Sequence, residues 1–386
     1  MDKLEIYRKY SPTLYNISPK LRNKILDTSL YKEKDNVDYN RPKIRNIEMR
    51  ITEKCNLRCP MCWWWGINGV GFLDTKYHSE RIYNELSNDE IKSVIDQVEG
   101  YSPSLTFIGG EIFVRKDALD LIKYASNKLK MVSLVTNGTL LTSEMCEELS
   151  HLKNLEITFS LDGTESVHDS IRGKGNYDRT INSIRNILKC RDESKKPLVT
   201  TNSTVTPEGS YDLPNLVKEV ESIGVDVIKI QHLWFTSKEV AEKHISEVKK
   251  RLDIVDRGVE SYIIDVPSIV DIQKIVEALD DIERSKHKVP VLIKPRLTKK
   301  EIFQYYSDLT FRKRNHCNVA FDSFVVESDG NVVFCPDEWI SGFKLGNIRT
   351  STIEEIWNGK RANNFRKTLK NDGLFPGCSR CCSLNL

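Results

Sequence analysis

The sequence predicts an α/β fold built on a parallel sheet, and three observations point to it. Between residues 46 and 235, six short apolar runs alternate with five helical patterns. Each helical stretch lies between two strands, as right-handed crossovers between parallel strands require. The polar motifs fall at the C-terminal ends of the strands, where strand-and-helix folds carry their chemistry.

The predicted strands are 47–52, 105–108, 132–136, 155–160, 198–205 and 225–233, with helices expected over 89–98, 118–129, 144–152, 179–190 and 213–223. Ser87-Asn88-Asp89-Glu90 reads as a capping box that opens the first long helix. Six units are two short of a closed eight-unit barrel. Residues 1–45 form a charged leader, helical around 19–30, which is expected to pack on the core. Residues 236–314 read as a bridge with helices over 238–255 and 269–285. Residues 315–386 begin a second small domain with a hairpin, 323–327 and 331–335, turning at Asp329-Gly330.

The 386 residues are 39% hydrophobic and 29% charged, ample material for a core. A net charge of +3, with lysines and arginines interspersed among acids, gives no nucleic-acid footprint. No signal-peptide core or membrane-length apolar run is present, so a cytoplasmic protein without membrane contact is expected. Eight of the ten cysteines fall in two groups, which in a reducing compartment points to metal or redox work. The other two, Cys146 and Cys190, read as packing residues.

The first group is Cys55-Asn56-Leu57-Arg58-Cys59-Pro60-Met61-Cys62, directly after the first strand. A structural zinc site takes four protein ligands. Three thiolates on a four-iron cluster leave one iron open. Cysteines at this spacing, after a first strand, make the sequence resemble the radical S-adenosylmethionine (radical SAM) superfamily. That resemblance implies a partial (β/α)6 barrel, a [4Fe–4S] cluster on Cys55, Cys59 and Cys62, and SAM bound at its open iron. It also assigns SAM contacts residue by residue. Gly109, Gly110 and Glu111 follow the second strand, and the motif holds the SAM amino group; Ile112 stands where the family usually has proline. Met61 stands where an aromatic residue often packs near adenine, and offers a polarizable apolar contact instead. Ser160 ends the fourth strand, and Arg172, with Arg179 as fallback, is the candidate for the SAM carboxylate. Asn202 and the pair Gln231-His232 end the fifth and sixth strands and can line the cavity, with His232 equally open to a core role. Trp63, Trp64 and Trp65 either pack under the cysteine loop or wall the substrate.

The second group, Cys317, Cys335, Cys378, Cys381 and Cys382, lies around the predicted hairpin and the C-terminus. Four of these thiols alone could make a tetrahedral zinc site. Behind the core just described, the group resembles the SPASM and Twitch extensions that hold auxiliary iron–sulfur clusters. Five cysteines, where full SPASM has seven, match the shorter Twitch form with one auxiliary [4Fe–4S] cluster. Its ligands are then Cys317, Cys335, Cys378 and Cys381, with Cys382 as the alternative fourth.

The family chemistry is reductive cleavage of SAM to a 5′-deoxyadenosyl radical, which abstracts a substrate hydrogen atom. A second cluster near the cavity suits oxidation, with Asp337, or its neighbour Glu338, as the acid that takes the substrate proton. The expected enzyme is a radical SAM oxidoreductase acting on a small polar metabolite such as a sugar or aminocyclitol, with flavodoxin or ferredoxin as reductant. A peptide or protein substrate, as in radical SAM maturases, and a redox-neutral dehydration or epimerisation of a sugar stand as alternatives.

Overall fold

The computed structural model describes residues 38–381, apart from Ile67, Asp74, Lys195, 265–268 and Asp337–Glu338. Most of the leader, including its expected helix, and Cys382 therefore lie outside the described residues. The leader's last residues lie against the C-terminal region. Lys43 N donates to Phe321 O at 3.0 Å, and the Tyr39 ring meets Phe321 edge-on at 4.7 Å.

Ten strands form one sheet in the order β10-β9-β8-β1-β2-β3-β4-β5-β6-β7. The six expected strands are β1 (Asn46–Arg50), β2 (Ser104–Ile108), β3 (Met131–Thr136), β4 (Leu155–Ser160), β5 (Leu198–Val205) and β6 (Val227–His232), all parallel. Two further parallel strands extend the six. β7 (Val291–Lys294) comes from the bridge and pairs with β6, while β8 (Ser323–Val326) pairs with β1, Asn46 opposite Ser323. β9 (Asn331–Val333) and β10 (Gly346–Asn347) complete an antiparallel flap. The C-terminal hairpin is thus continuous with the core sheet. The bridge, read from sequence as two helices, contributes a strand as well as helices.

The sheet curves into an open barrel because its two faces differ. Along the parallel strands one set of alternate side chains, such as Met49, Phe107, Leu134, Ile157 and Ile230, is buried in the main core. The opposite set is polar and lines a lumen, including Glu48, Thr106, Ser133, Glu156, Thr158, Asn202, Lys229, Gln231 and Lys294. Period-two alternation alone would put this second set in water. Curvature of the open sheet puts it inside.

The helix Asn88–Val98 buries Ile91, Val94, Ile95 and Val98 on one face, the i, i+3, i+4, i+7 stripe of a half-buried helix. Its capping box is formed as expected: Glu90 N donates to Ser87 Oγ and Ser87 N to Glu90 Oε2. Glu90 also accepts from Arg349 Nε at 2.6 Å, which fastens the C-terminal flap to this helix. Gly330 has a φ of 83°, the left-handed conformation the hairpin turn needs and glycine supplies. Among the described residues no helix is long and apolar enough to cross a membrane.

Candidate functional site

The first cysteine loop hangs from the C-terminal end of β1 and is held by the turn after β2. Gly110 N donates to Thr52 O at 2.9 Å and Glu111 N to Lys54 O at 2.8 Å. A Cβ on Gly109 would lie 2.5 Å from Thr52 O, and one on Gly110 would lie 2.3 Å from Lys54 O. The close backbone approach that these glycines permit is therefore to the cysteine loop itself.

Within the loop, backbone amides point at sulfur. Leu57 N donates to Cys55 Sγ at 3.4 Å and Trp65 N to Cys62 Sγ at 3.3 Å, while Cys62 N closes a turn on Cys59 O. The three thiols are close neighbours: Cys59 and Cys62 both raise the pKa of Cys55, and Cys62 raises that of Cys59. Burial is the larger cause, pushing Cys55 up to about 12 and Cys59 upward. Such thiols are protonated when free, so taking up a metal cluster must release protons. Three thiols carried on one loop, two of them with amide donors aimed at sulfur, fit the ligand set of an iron–sulfur cluster, whose ligands stand farther apart than those of a single ion.

Beneath the loop lies a layer of tryptophans and buried charge. Arg50 sits over Trp63 at 4.5 Å, Arg81 over Trp64 at 4.7 Å and Arg58 over Trp65 at 3.8 Å. Trp65 Nε1 donates to Glu53 O at 2.8 Å, which ties the third tryptophan to the loop's own backbone. Arg81 also pairs with Glu53 at 2.6 Å and with Glu327 at 3.4 Å, both fully buried. Ser328 Oγ donates to Glu53 Oε1 at 2.8 Å. Trp64 is the buried member of the three, whereas Trp63 and Trp65 are half-buried and Trp63 also packs against the cluster of Tyr262 and Trp339. The buried network beneath them was not anticipated, because Glu53, Arg81 and Glu327 are far apart in sequence.

Around the rim, Glu111 is fully buried and accepts three hydrogen bonds, from Thr136 Oγ1 at 2.7 Å, Asn137 N at 2.7 Å and Phe113 N at 3.2 Å. Burial raises its pKa, and the hydrogen bonds pull the other way. A carboxylate has about four acceptor sites, and these three hydrogen bonds use three of them. Arg172 Nε donates to Asp162 Oδ2 at 2.6 Å, and its Nη1 lies 3.9 Å from Cys59 Sγ. Arg179 is exposed and bonded to Asn176, so Arg172 is the arginine at the loop. Asp162, two residues after Ser160, was the signal missed. Ser160 pairs in register with Asn202 across β4 and β5, and Met61 is half-buried against the main core. Gln231 lines the lumen, whereas His232 points to the other face. There His232 Nδ1 shares a hydrogen with the Tyr306 hydroxyl at 2.8 Å, and burial holds its pKa down to about 3. His232 is a core histidine.

The second group of cysteines forms a second site. Cys317, Cys335, Cys378 and Cys381 line one cavity together with Val319, Ala320, Phe334, Pro336 and Trp339. Burial pushes Cys317 up to about 12 and raises Cys335 and Cys378. Among the described residues no three His, Cys, Asp or Glu side chains are grouped to hold a metal ion; the four thiols stand around a volume instead. Val319, Phe334 and Pro336 also line the sheet's lumen, so the cysteine cavity and the lumen adjoin. Asp337 and Glu338 lie outside the described residues.

A parallel strand-and-helix sheet with a three-cysteine loop at its rim defines the class, and the chain belongs to the radical SAM superfamily, whose model matches residues 49–219. Within that superfamily it is a member carrying a SPASM iron–sulfur cluster-binding domain, matched over residues 317–382. Five cysteines favour the shorter Twitch form; the model that matches is SPASM. The protein's cofactors are accordingly SAM, a SAM-binding [4Fe–4S] cluster and an auxiliary iron–sulfur cluster.

Its curated relatives differ in what they make. The chain is 26% identical over 337 residues to the Fe-coproporphyrin III synthase of Methanosarcina barkeri, 83% of this chain and 75% of that protein. It is 24% identical to the tungsten-containing aldehyde ferredoxin oxidoreductase cofactor-modifying protein of Pyrococcus furiosus, over 88% and 87% of the two chains. It is 22% identical to the sporulation killing factor maturation protein SkfB of Bacillus subtilis, over 84% and 67%. Among solved structures, Streptococcus suis SuiB matches with a TM-score of 0.60 at 13% identity, covering 94% of this chain and 77% of that one, a likeness of fold.

Proposed function

We propose that the chain removes a hydrogen atom from a polar group seated in the sheet's lumen, and that the net reaction is an oxidation of a small polar metabolite such as a sugar or aminocyclitol. The observation that carries this reading is the shared lining of Val319, Phe334 and Pro336, which sets the auxiliary cysteines against the lumen. When bound, the SAM cluster and SAM supply a 5′-deoxyadenosyl radical, and an auxiliary cluster can accept an electron.

The chain's residues do the rest. Cys55, Cys59 and Cys62 hold the first cluster, and Cys317, Cys335, Cys378 and Cys381 hold the second. Glu111, kept in place by Gly109, Gly110 and its hydrogen bonds, takes the SAM amino group. Arg172, aimed by Asp162, takes the carboxylate, while Ser160, Asn202 and Met61 complete the SAM contacts. Asp337 or Glu338 receives the substrate proton. The lumen, about 360 Å³, carries both signs of charge, and Lys229 pairs with Glu156 at 2.5 Å. A polar, charge-mixed lining suits a molecule rich in hydroxyl and amino groups, whose polar atoms it can pair. Flavodoxin or ferredoxin would supply the electron. A second reading, favoured by the similarity to SkfB, is a peptide whose side chain enters the same lumen.

Deuterium transfer distinguishes these readings without a named substrate. Metabolite and peptide fractions from cells grown in deuterated medium would be given to reconstituted protein with SAM and dithionite. Deuterium in 5′-deoxyadenosine from the metabolite fraction is the expected result. Transfer from the peptide fraction alone supports the second reading, and transfer from neither overturns both.

A further inference from the structure

The bridge between the two cysteine-bearing regions looks uninformative in sequence, yet its helix Lys238–Leu252 packs against the turn Pro376–Arg380 that carries Cys378. His244 lies on the buried face of that helix and uses both ring nitrogens. Its Nδ1 is 2.9 Å from Gly377 N, a donor, so Nδ1 accepts. Its Nε2 is 2.8 Å from Trp339 O, an acceptor, so Nε2 carries the hydrogen. The two partners fix a single neutral tautomer, and burial holds the ring's pKa down to about 4. Gly377 precedes Cys378, and Trp339 lies four residues after Cys335.

Two other residues of the same segment tighten this arrangement. Arg251 Nη1 donates to Asp372 O at 3.1 Å and Gly373 O at 3.2 Å, ahead of the Cys378 turn. Asp256 Oδ2 accepts from Gly342 N at 2.7 Å, beyond Trp339. Gly377 is itself shaped to the histidine, because a Cβ there would lie 2.8 Å from His244 Nδ1 and 3.2 Å from the Trp339 ring.

We infer that His244 is the positioning residue of the auxiliary site, joining the segment that carries Cys335 to the turn that carries Cys378 and Cys381 so that four thiols from separate stretches face one cavity. The inference rests on the assignment of the auxiliary cluster to these cysteines. Hydrogen bonding by the imidazole, and not its bulk alone, sets the spacing. Glutamine offers a carbonyl acceptor and an amide donor on a chain of similar reach, whereas phenylalanine fills the space and offers neither.

The test uses the full chain, reconstituted anaerobically with iron and sulfide, and reads iron content and the electron paramagnetic resonance (EPR) spectrum of each cluster. His244→Phe should lose the auxiliary signal and about four irons per chain while keeping the SAM-cluster signal. His244→Gln should retain both signals. Gly377→Ala, which crowds the ring, should resemble His244→Phe. If His244→Phe does not fold, the glutamine and Gly377→Ala variants carry the test. Wild-type iron content and spectra in His244→Phe or in Gly377→Ala overturn the inference, as does a glutamine variant as depleted as the phenylalanine one. Cys335→Ala is the control for the ligand assignment: an intact auxiliary signal there removes that assignment and leaves the His244 result to be read separately.

Discussion

Arg172 donates to Asp162 at 2.6 Å and reaches within 3.9 Å of Cys59 Sγ, so one ion pair joins the end of β4 to the SAM-cluster loop. Asp162 is fully buried and also accepts from Thr204 N at 2.8 Å. A buried pair loses most when one partner is removed, because the other charge stays behind without compensation. Asp162→Ala should therefore lower unfolding free energy by about 3–5 kcal/mol and weaken SAM binding through the displaced guanidinium. Adding Arg172→Met should recover part of the stability and none of the SAM affinity. Chemical denaturation and calorimetric titration with SAM check both. A stable single variant with normal affinity would remove Arg172 from the SAM site.

Reconstituted protein should carry about eight irons in two four-iron clusters. Replacing Cys55, Cys59 and Cys62 together by alanine should leave about four irons and abolish SAM cleavage. Iron analysis and chromatographic detection of 5′-deoxyadenosine are the measurements. Cleavage at the wild-type rate would rule out this loop as the ligand set.

Glu111→Ala should weaken SAM binding by about 2 kcal/mol, the scale of one charge-assisted hydrogen bond. Both clusters should remain. The same change leaves Thr136 Oγ1 and Asn137 N without their present acceptor, so a fall in melting temperature is also expected. Unchanged affinity in a folded variant would place the amino group elsewhere.

Arg349 holds the Glu90 carboxyl down at about 2, from an ordinary value of 4.5. A depressed carboxyl stabilises the fold above its ordinary pKa, and the contribution is lost as pH falls from about 4.5 towards 2. The pair is partly exposed, so its worth is under about 1 kcal/mol. Arg349→Ala should thus melt slightly lower than wild type at pH 7, with the gap closing below pH 4. A gap that widens on acidification would reverse the assignment of this contact.

If the reaction is an oxidation, each product molecule should appear with one 5′-deoxyadenosine and one methionine. Asp337→Asn should slow product formation more than SAM cleavage, since the base acts after hydrogen abstraction. A dehydrated or epimerised product of unchanged oxidation state would count against the oxidation, as would normal turnover in the variant.

Much of the core was legible because its signals are local. Ile91, Val94, Ile95 and Val98 declare a helix face within eleven residues, and Ser87 and Glu90 declare its start. Cys55, Cys59 and Cys62 declare a ligand loop by spacing alone, and Gly109-Gly110-Glu111 follows at the next strand end. The hairpin turn at Gly330 was equally plain. The short run Val291–Lys294 was not read as a strand, since four residues inside a lysine-rich stretch carry little pattern of their own.

The sequence by itself determined the class of fold, the six strand–helix units, the two cysteine groups and the cofactors they imply. Tertiary structure decided that β8 pairs with β1, that Arg172 and not Arg179 stands at Cys59, and that the polar strand face encloses a lumen beside the second cysteine site. It also decided that His232 is core and that His244 bridges Gly377 and Trp339. The physical reason is range. Periodicity, caps and ligand spacing act within a turn or a loop and are written in consecutive residues. Strand partners, buried ion pairs and shared cavity walls join residues up to 277 positions apart, as Asn46 and Ser323 do, and only the closed packing selects which of them meet.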